Sequence, residues 1–128
     1  MTDIIKATIV TADVPNANGR TYARATLEKA VEEQKHKRTW VTLGMPNGSQ
    51  VDLSEIAGQA GNWAWHGNDL VAEIAIMDTP RGRMVKEILE AKGDFDYRPA
   101  GYGKVDEAGN VTDFRFVSIG VLAKGTGA

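Results

Sequence analysis

The sequence has no cysteine. That absence removes disulfide staples, thiolate metal sites and a cysteine nucleophile together, and it leaves the redox compartment undetermined. Histidine is nearly absent as well. His36 and His66 are the only two, and neither has a second ligand at a zinc-like spacing. The three serines, Ser49, Ser54 and Ser118, have no histidine close in sequence, and only Ser54 has an acid beside it, Glu55. No apolar run approaches the roughly 18 residues that span a bilayer. Met1 to Ala12 lacks a charged start followed by an apolar stretch, so no secretory leader is read there. A one-sided charge is also missing: 17 acidic residues stand against 15 basic, for a formal net charge of −2, and a duplex binder shows a basic excess or stripe. The expectation is a soluble product made in the cytoplasm, with no membrane, nucleic acid, metal or cofactor.

The bland readings of the remaining candidates follow from local chemistry. Lys35-His36-Lys37-Arg38 reads as the cationic last turn of a helix, complementing its dipole. Asp94 and Asp96 lack the further oxygen ligands of a calcium loop. Gly101-Tyr102-Gly103 is flanked by strand-like residues, whereas a phosphate loop leads into a helix. Trp63 and Trp65 share one strand face and read as packing.

What is present is an ordinary globular balance in 128 residues, 42% hydrophobic and 25% charged, enough for one domain over 1–128. Ile4 to Thr11 is β-branched and reads as a strand. The turn formers of Asp13 to Arg20 make a loop. A helix is expected from about Ala23 to Lys37, with Leu27, Ala30 and Val31 on its apolar stripe. A short strand, Trp40 to Leu43, precedes a loop, Gly44 to Ser54. Trp63 to Trp65 and Leu70 to Met77 flank a Gly/Asn/Asp turn and make a hairpin. The second helix has Thr79 as N-cap, Pro80 in its first turn and Gly93 as its left-handed stop, with Met84, Val85, Ile88 and Leu89 on one face. Tyr97 to Val105 and Val111 to Ile119 make the last hairpin, and the chain is expected to fray from about residue 123. Hairpins dominate, so the fold class is α+β: a curved, mainly antiparallel sheet or small barrel with two helices. Leu27, Val31, Trp63, Ile74, Ile76, Val85, Ile88 and Leu89 are the expected core.

Five stretches together resemble one family. Asn16-Ala17-Asn18-Gly19-Arg20-Thr21-Tyr22 is similar to the opening Asn-x-Asn-Gly-Arg-x-Tyr signature of the tailed-bacteriophage prohead proteases. Val51-Asp52-Leu53, Trp63 to Leu70, Ile76 to Gly82, and the hairpin of Gly101 to Val105 with Val111 to Phe114 follow in that family's order. The resemblance covers roughly residues 4 to 122 and implies a curved, barrel-like antiparallel sheet similar to the herpesvirus maturation protease.

The departures fall at the places that the resemblance assigns to chemistry. Met45 stands in the place of the family's histidine base, and about Gly58 in that of a second histidine. The Tyr97-Arg98-Pro99-Ala100-Gly101 stretch stands where the family carries its serine, with Arg98 and Pro99 in the serine place. Gly120 is near a common aspartate. Methionine takes no proton from a hydroxyl, and neither Arg98 nor Pro99 attacks a carbonyl. Nucleophile and base act as a unit. The resemblance therefore implies a degenerate, non-enzymatic member with no catalytic residues: a head protein that decorates the capsid or assists its assembly, present in the host cytoplasm during assembly and then in the virion head. Its expected partner is the major capsid protein or another head protein, with a homo-oligomer also open. Tyr97, Arg98, Tyr102, Met45 and Trp65 are the candidate binding residues. The rivals are an accessory protein that binds a host defence factor and an active protease that uses Ser54 or Ser49 with His66.

Overall fold

The computed structural model describes residues 3–16, 19–46 and 51–124. The elements are β1 (Ile4–Thr11), β2 (Thr21–Tyr22), α1 (Arg24–Gln34), β3 (Thr39–Leu43), β4 (Ile56–His66), β5 (Asp69–Ile76), α2 (Pro80–Glu90), β6 (Phe95–Val105) and β7 (Asn110–Ala123). The strands form one sheet in the order β1-β5-β4-β3-β7, with β2 beside the start of β7 and β6 along its other side. All pairings are antiparallel except β2 with β7 and β3 with β7. The sheet curls until its edges, β1 and β6, approach each other without pairing. The expected α+β class with a curved, mainly antiparallel sheet and two helices is the fold observed. Among the described residues no helix is long and apolar enough to cross a membrane.

Inside the curl, Leu27, Val41, Leu70 and Ile119 are fully covered. α1 packs on β7 and α2 on β4. Trp63 is half-buried, with its ring 5.2 Å from that of Phe116. Of the expected core, Leu27, Val31, Ile74, Ile76 and Val85 are buried and Leu89 is partly so, but Ile88 is 38% exposed. Gly82 and Val85 form the docked face of α2, so Met84 and Ile88 turn to solvent.

Several boundaries differ from the sequence reading, three of them for a local reason. α1 ends at Gln34, before the basic cluster, so Lys35 to Arg38 lie outside its last turn. The Gln34 side chain is buried and accepts a 2.6 Å hydrogen bond from the Thr39 hydroxyl, which turns the chain back into β3. β4 begins seven residues before Trp63, at Ile56. Its first half, Ile-Ala-Gly-Gln-Ala-Gly, has low strand propensity but is clamped between β3 and β5. At the end of α2 the left-handed residue is Lys92, with φ 62°, not Gly93. Gly93 is needed for space: a Cβ there would lie 2.5 Å from Ile88 Cγ2. The 44–54 loop also holds a short 3-10 turn from Leu53, capped by the Asp52 side chain. At the other end of the chain β7 runs to Ala123, and Lys124 Nζ sits 3.5 Å from Asp96 and 3.9 Å from Asp94. The rest of the expected frayed tail, 125–128, lies outside the described residues.

The β6–β7 turn is held by one carboxylate. Asp106 Oδ1 accepts from the N–H groups of Asn110 and Ala108, each at 2.9 Å, and Oδ2 from the Asn110 side chain at 3.1 Å. These bonds, led by the Asn110 N–H, hold its pKa below the usual carboxylate range. A depressed pKa contributes stability above the unfolded value, and that contribution is lost as pH falls through the folded value. Asp106→Ala should therefore be less stable than the parent at pH 7. In urea titrations the gap should narrow steadily below about pH 4; a gap independent of pH would show that the carboxylate is not what holds the turn.

Candidate functional site

The site begins with a turn after β3. Gly44 takes a left-handed φ of 82°. Its N–H donates to the Val121 carbonyl at 2.8 Å, and its carbonyl accepts from Thr42 Oγ1 at 2.8 Å. Met45 is thereby thrown across β7: a Cβ on Gly120 would lie 2.7 Å from Met45 Sδ. On the far side of β7, Arg98 is the cross-strand partner of Gly120, and Pro99 that of Ile119. Three of the places singled out by the sequence resemblance therefore meet. The fourth does not. Gly58 is buried on β4, where a Cβ would meet the Ala75 carbonyl oxygen.

Met45, Arg98 and Tyr102 line a cleft of about 280 Å³ together with Arg20, Tyr22 and Phe114. Met45 is 40% and Tyr102 55% exposed, and Arg98 is half-buried. The Tyr22 ring meets Phe114 edge-on at 5.4 Å. Burial raises the pKa of its hydroxyl, and the positive charges of Arg20 and Arg98 oppose that rise. Arg98 and Pro99 also border a larger cleft, about 690 Å³, which lies between β1 and β6 and includes Tyr97. Burial raises the Tyr97 pKa too, with Asp94 adding to it. Tyr97, Arg98, Tyr102 and Met45 thus belong to one continuous surface. Trp65 does not join it. It lies on β4, where the Arg24 guanidinium covers its ring at 4.2 Å while donating to the Gly67 carbonyl at 2.7 Å. That contact ties α1 to the β4–β5 turn, so Trp65 packs an element junction.

The described serines and histidines lie outside the smaller cleft. No serine, threonine, histidine or carboxylate lines the smaller cleft among the described residues. The nearest hydroxyls in sequence register, Thr42 and Ser118, are fully buried and 3.3 Å from each other. Ser54 is exposed and its hydroxyl donates to Asp52 at 2.8 Å. It precedes β4, whereas His66 ends that 11-residue strand, so about 30 Å of extended chain separates them. Ser49 lies outside the described residues. The cleft carries groups suited to binding. Two guanidinium groups and two phenols offer planar donor forks and rigid amphipathic area, suited to a carboxylate and a peptide backbone. Neither Arg20 nor Arg98 is ion-paired to a described residue. Arg20 and Tyr22 were legible only as parts of a loop motif. It took the pairing of β2 with β7 to carry them to Arg98.

A family model described as prohead core protein serine protease matches residues 2–122. The chain belongs to that family. Among curated proteins no sequence match is found. Among solved structures it is similar to the capsid assembly protease gp21 of bacteriophage T4, with a TM-score of 0.83 and 23% identity over 94% of this chain and 79% of that one. At that identity the likeness establishes the fold. The curled sheet of this prohead-protease relative brings Met45 and Arg98 together at the buried Gly120 of β7.

Proposed function

We propose that this chain is a non-enzymatic head protein of a tailed bacteriophage, which uses the prohead-protease fold to bind the major capsid protein or another head component, as a decoration protein or an assembly partner. The observation that carries the reading is the lining of the cleft where Met45, Arg98 and Gly120 meet: cationic, aromatic and apolar groups, with no serine, threonine, histidine or carboxylate among the described residues. A maturation protease has to recognise head proteins before it cuts them, and a copy without the chemistry can keep the recognition surface. The separation of Ser54 from His66 along β4 argues against a relocated dyad built from that pair.

The test combines chemistry and binding. Purified protein should not react with a fluorophosphonate and should not process the capsid protein of the same phage, yet it should co-sediment with that phage's proheads. Arg98→Ala should leave the melting temperature nearly unchanged and weaken that association by more than about 1 kcal/mol. Labelling that disappears on substituting Ser49, Ser54 or Ser118 would restore the protease reading. Absence from proheads, with stable capture of a host protein instead, would move the assignment to an accessory factor.

A further inference from the structure

The two edges of the curled sheet are not equivalent, and the difference can be read from single hydrogen bonds. In an antiparallel ladder alternate residues turn both main-chain groups toward the partner strand. The Ile76 N–H donates to the Asp3 carbonyl at 2.9 Å, and the ladder continues through Ile5 opposite Ile74 and Ala7 opposite Ala72. Those residues face β5. Ile4 and Lys6 therefore turn their N–H and C=O groups, and Thr8 its N–H, to the other side, where no described strand pairs with β1; a bulge follows between Thr8 and Val10.

The β6 edge that faces it is blunted. The Val121 carbonyl accepts from Gly44, so Val121 faces β3 while Gly120 and Leu122 face β6. Their partners Arg98 and Asp96 face β7, which leaves Phe95, Tyr97 and Pro99 facing outward. The Phe95 N–H is already taken by Asp94 Oδ1 at 2.8 Å, and Pro99 has no N–H to offer. Proline and local capping are the usual ways to disarm an edge. β1 has no proline and no local cap over Ile4–Thr8; its own edge devices are Lys6 and the bulge between Thr8 and Val10, and the bulge limits the open stretch to the first half of the strand.

Between the two edges lies the cleft of about 690 Å³, bordered on one side by Lys6 through Thr11, about 20 Å of strand. Its charged lining is Lys6, Arg98, Lys124 and Asp96. Lys124 already neutralises Asp96 at 3.5 Å, and Glu73, the cross-strand neighbour of Lys6, is held by Asn62 at 2.9 Å. Lys6 and Arg98 are therefore the lining cations with no ion pair among the described residues, while Glu73 and Asp94 keep their carboxylates close by. We infer that an extended, acidic segment of a head protein adds to β1 as a further strand, bonding to the main chain of Lys6 and Thr8, with a carboxylate held by Arg98. This rests on the head-binding function proposed above. The main-chain bonds give affinity, and the opposite wall, Tyr97 and Arg98, selects the side chains.

The experiment uses ten-residue synthetic peptides tiled across the major capsid protein of the same phage, alongside the intact capsid protein. Binding should concentrate in an acidic tile. In that complex the backbone amides of Lys6 and Thr8 should exchange at least ten-fold more slowly by hydrogen-exchange NMR than in the free protein. Thr8→Pro removes an outward donor without touching the β5 ladder and should weaken the tile at least ten-fold. N-methylation of alternate peptide amides keeps the test independent of that variant's folding: one register should abolish binding and the other leave it intact. Intact capsid protein that binds with no protection of Lys6 and Thr8 would sink the strand-addition inference and leave the head-binding reading standing. Failure of both the intact protein and every tile would sink both. A concentration-dependent dimer abolished by Thr8→Pro would give the edge to a second copy and overturn the choice of occupant.

Discussion

Leu27→Ala is expected to lower the unfolding free energy by about 2–5 kcal/mol, while Ile88→Ala should cost only about 1 kcal/mol. Both are aliphatic residues on the apolar stripe of a helix, and sequence periodicity treats them alike. Leu27 is fully covered between α1 and the sheet, so its truncation leaves a cavity that the packed strands close only in part. Ile88 is 38% exposed, and its Cγ2 lies close to Gly93. Much of its side chain is in water in both states, and little is lost by removing it. Urea denaturation of the two variants beside the parent measures the difference. Equal losses would show that α2 is seated on β4 through the Ile88 face instead of through Gly82 and Val85.

Gly82→Ala is the second large effect, with an expected cost of about 3 kcal/mol. Gly82 begins the packed face of α2, and a Cβ there would collide with the Met77 carbonyl oxygen and lie 2.8 Å from the Ala57 carbonyl oxygen. Both obstacles are backbone. They are joined to each other, since the Met77 N–H donates to the Ala57 carbonyl at 2.9 Å, so neither can rotate aside. The helix itself has to move, and its N-cap moves with it: Thr79 Oγ1 accepts from the Gly82 N–H at 2.9 Å and donates to the Ile56 carbonyl at 2.6 Å. In an exposed helix the same change would be stabilising by up to about 1 kcal/mol. A melting temperature equal to or above that of the parent would therefore rule out the close approach.

Much of the fold was legible because its signals are local. Thr79-Pro80 starts α2 as expected, since a hydroxyl cap and a residue without an N–H both suit a helix N-terminus wherever the rest of the chain lies. Gly67, at φ 61°, makes the β4–β5 turn. The β-branched run of Ile4–Thr11 became β1. The illegible parts depend on neighbours. The Gly/Ala-rich start of β4 is a strand because β3 and β5 hold it on both sides, and small side chains there let α2 come close. The left-handed stop falls one residue early, at Lys92, because the Gly93 N–H closes back on the Ile88 carbonyl at 2.8 Å.

The candidate site divides in the same way. Composition was enough to show that cysteine chemistry is absent, and motif order was enough to raise the expectation that Met45, Arg98 and Pro99 stand in the family places for base and nucleophile. These are statements about which chemical groups exist, and a list of residues contains them. Which groups meet is a different kind of fact. Met45 reaches Gly120, Arg20 and Tyr22 join Arg98 across β7, and Trp65 is drawn away to Arg24, all through pairings between residues tens of positions apart. The open edge of β1 and the blunted edge of β6 are further removed still from local pattern. An edge is defined by the strand that is not beside it, and only the curl of the whole sheet, which sets which strands have two neighbours and which have one, could decide that.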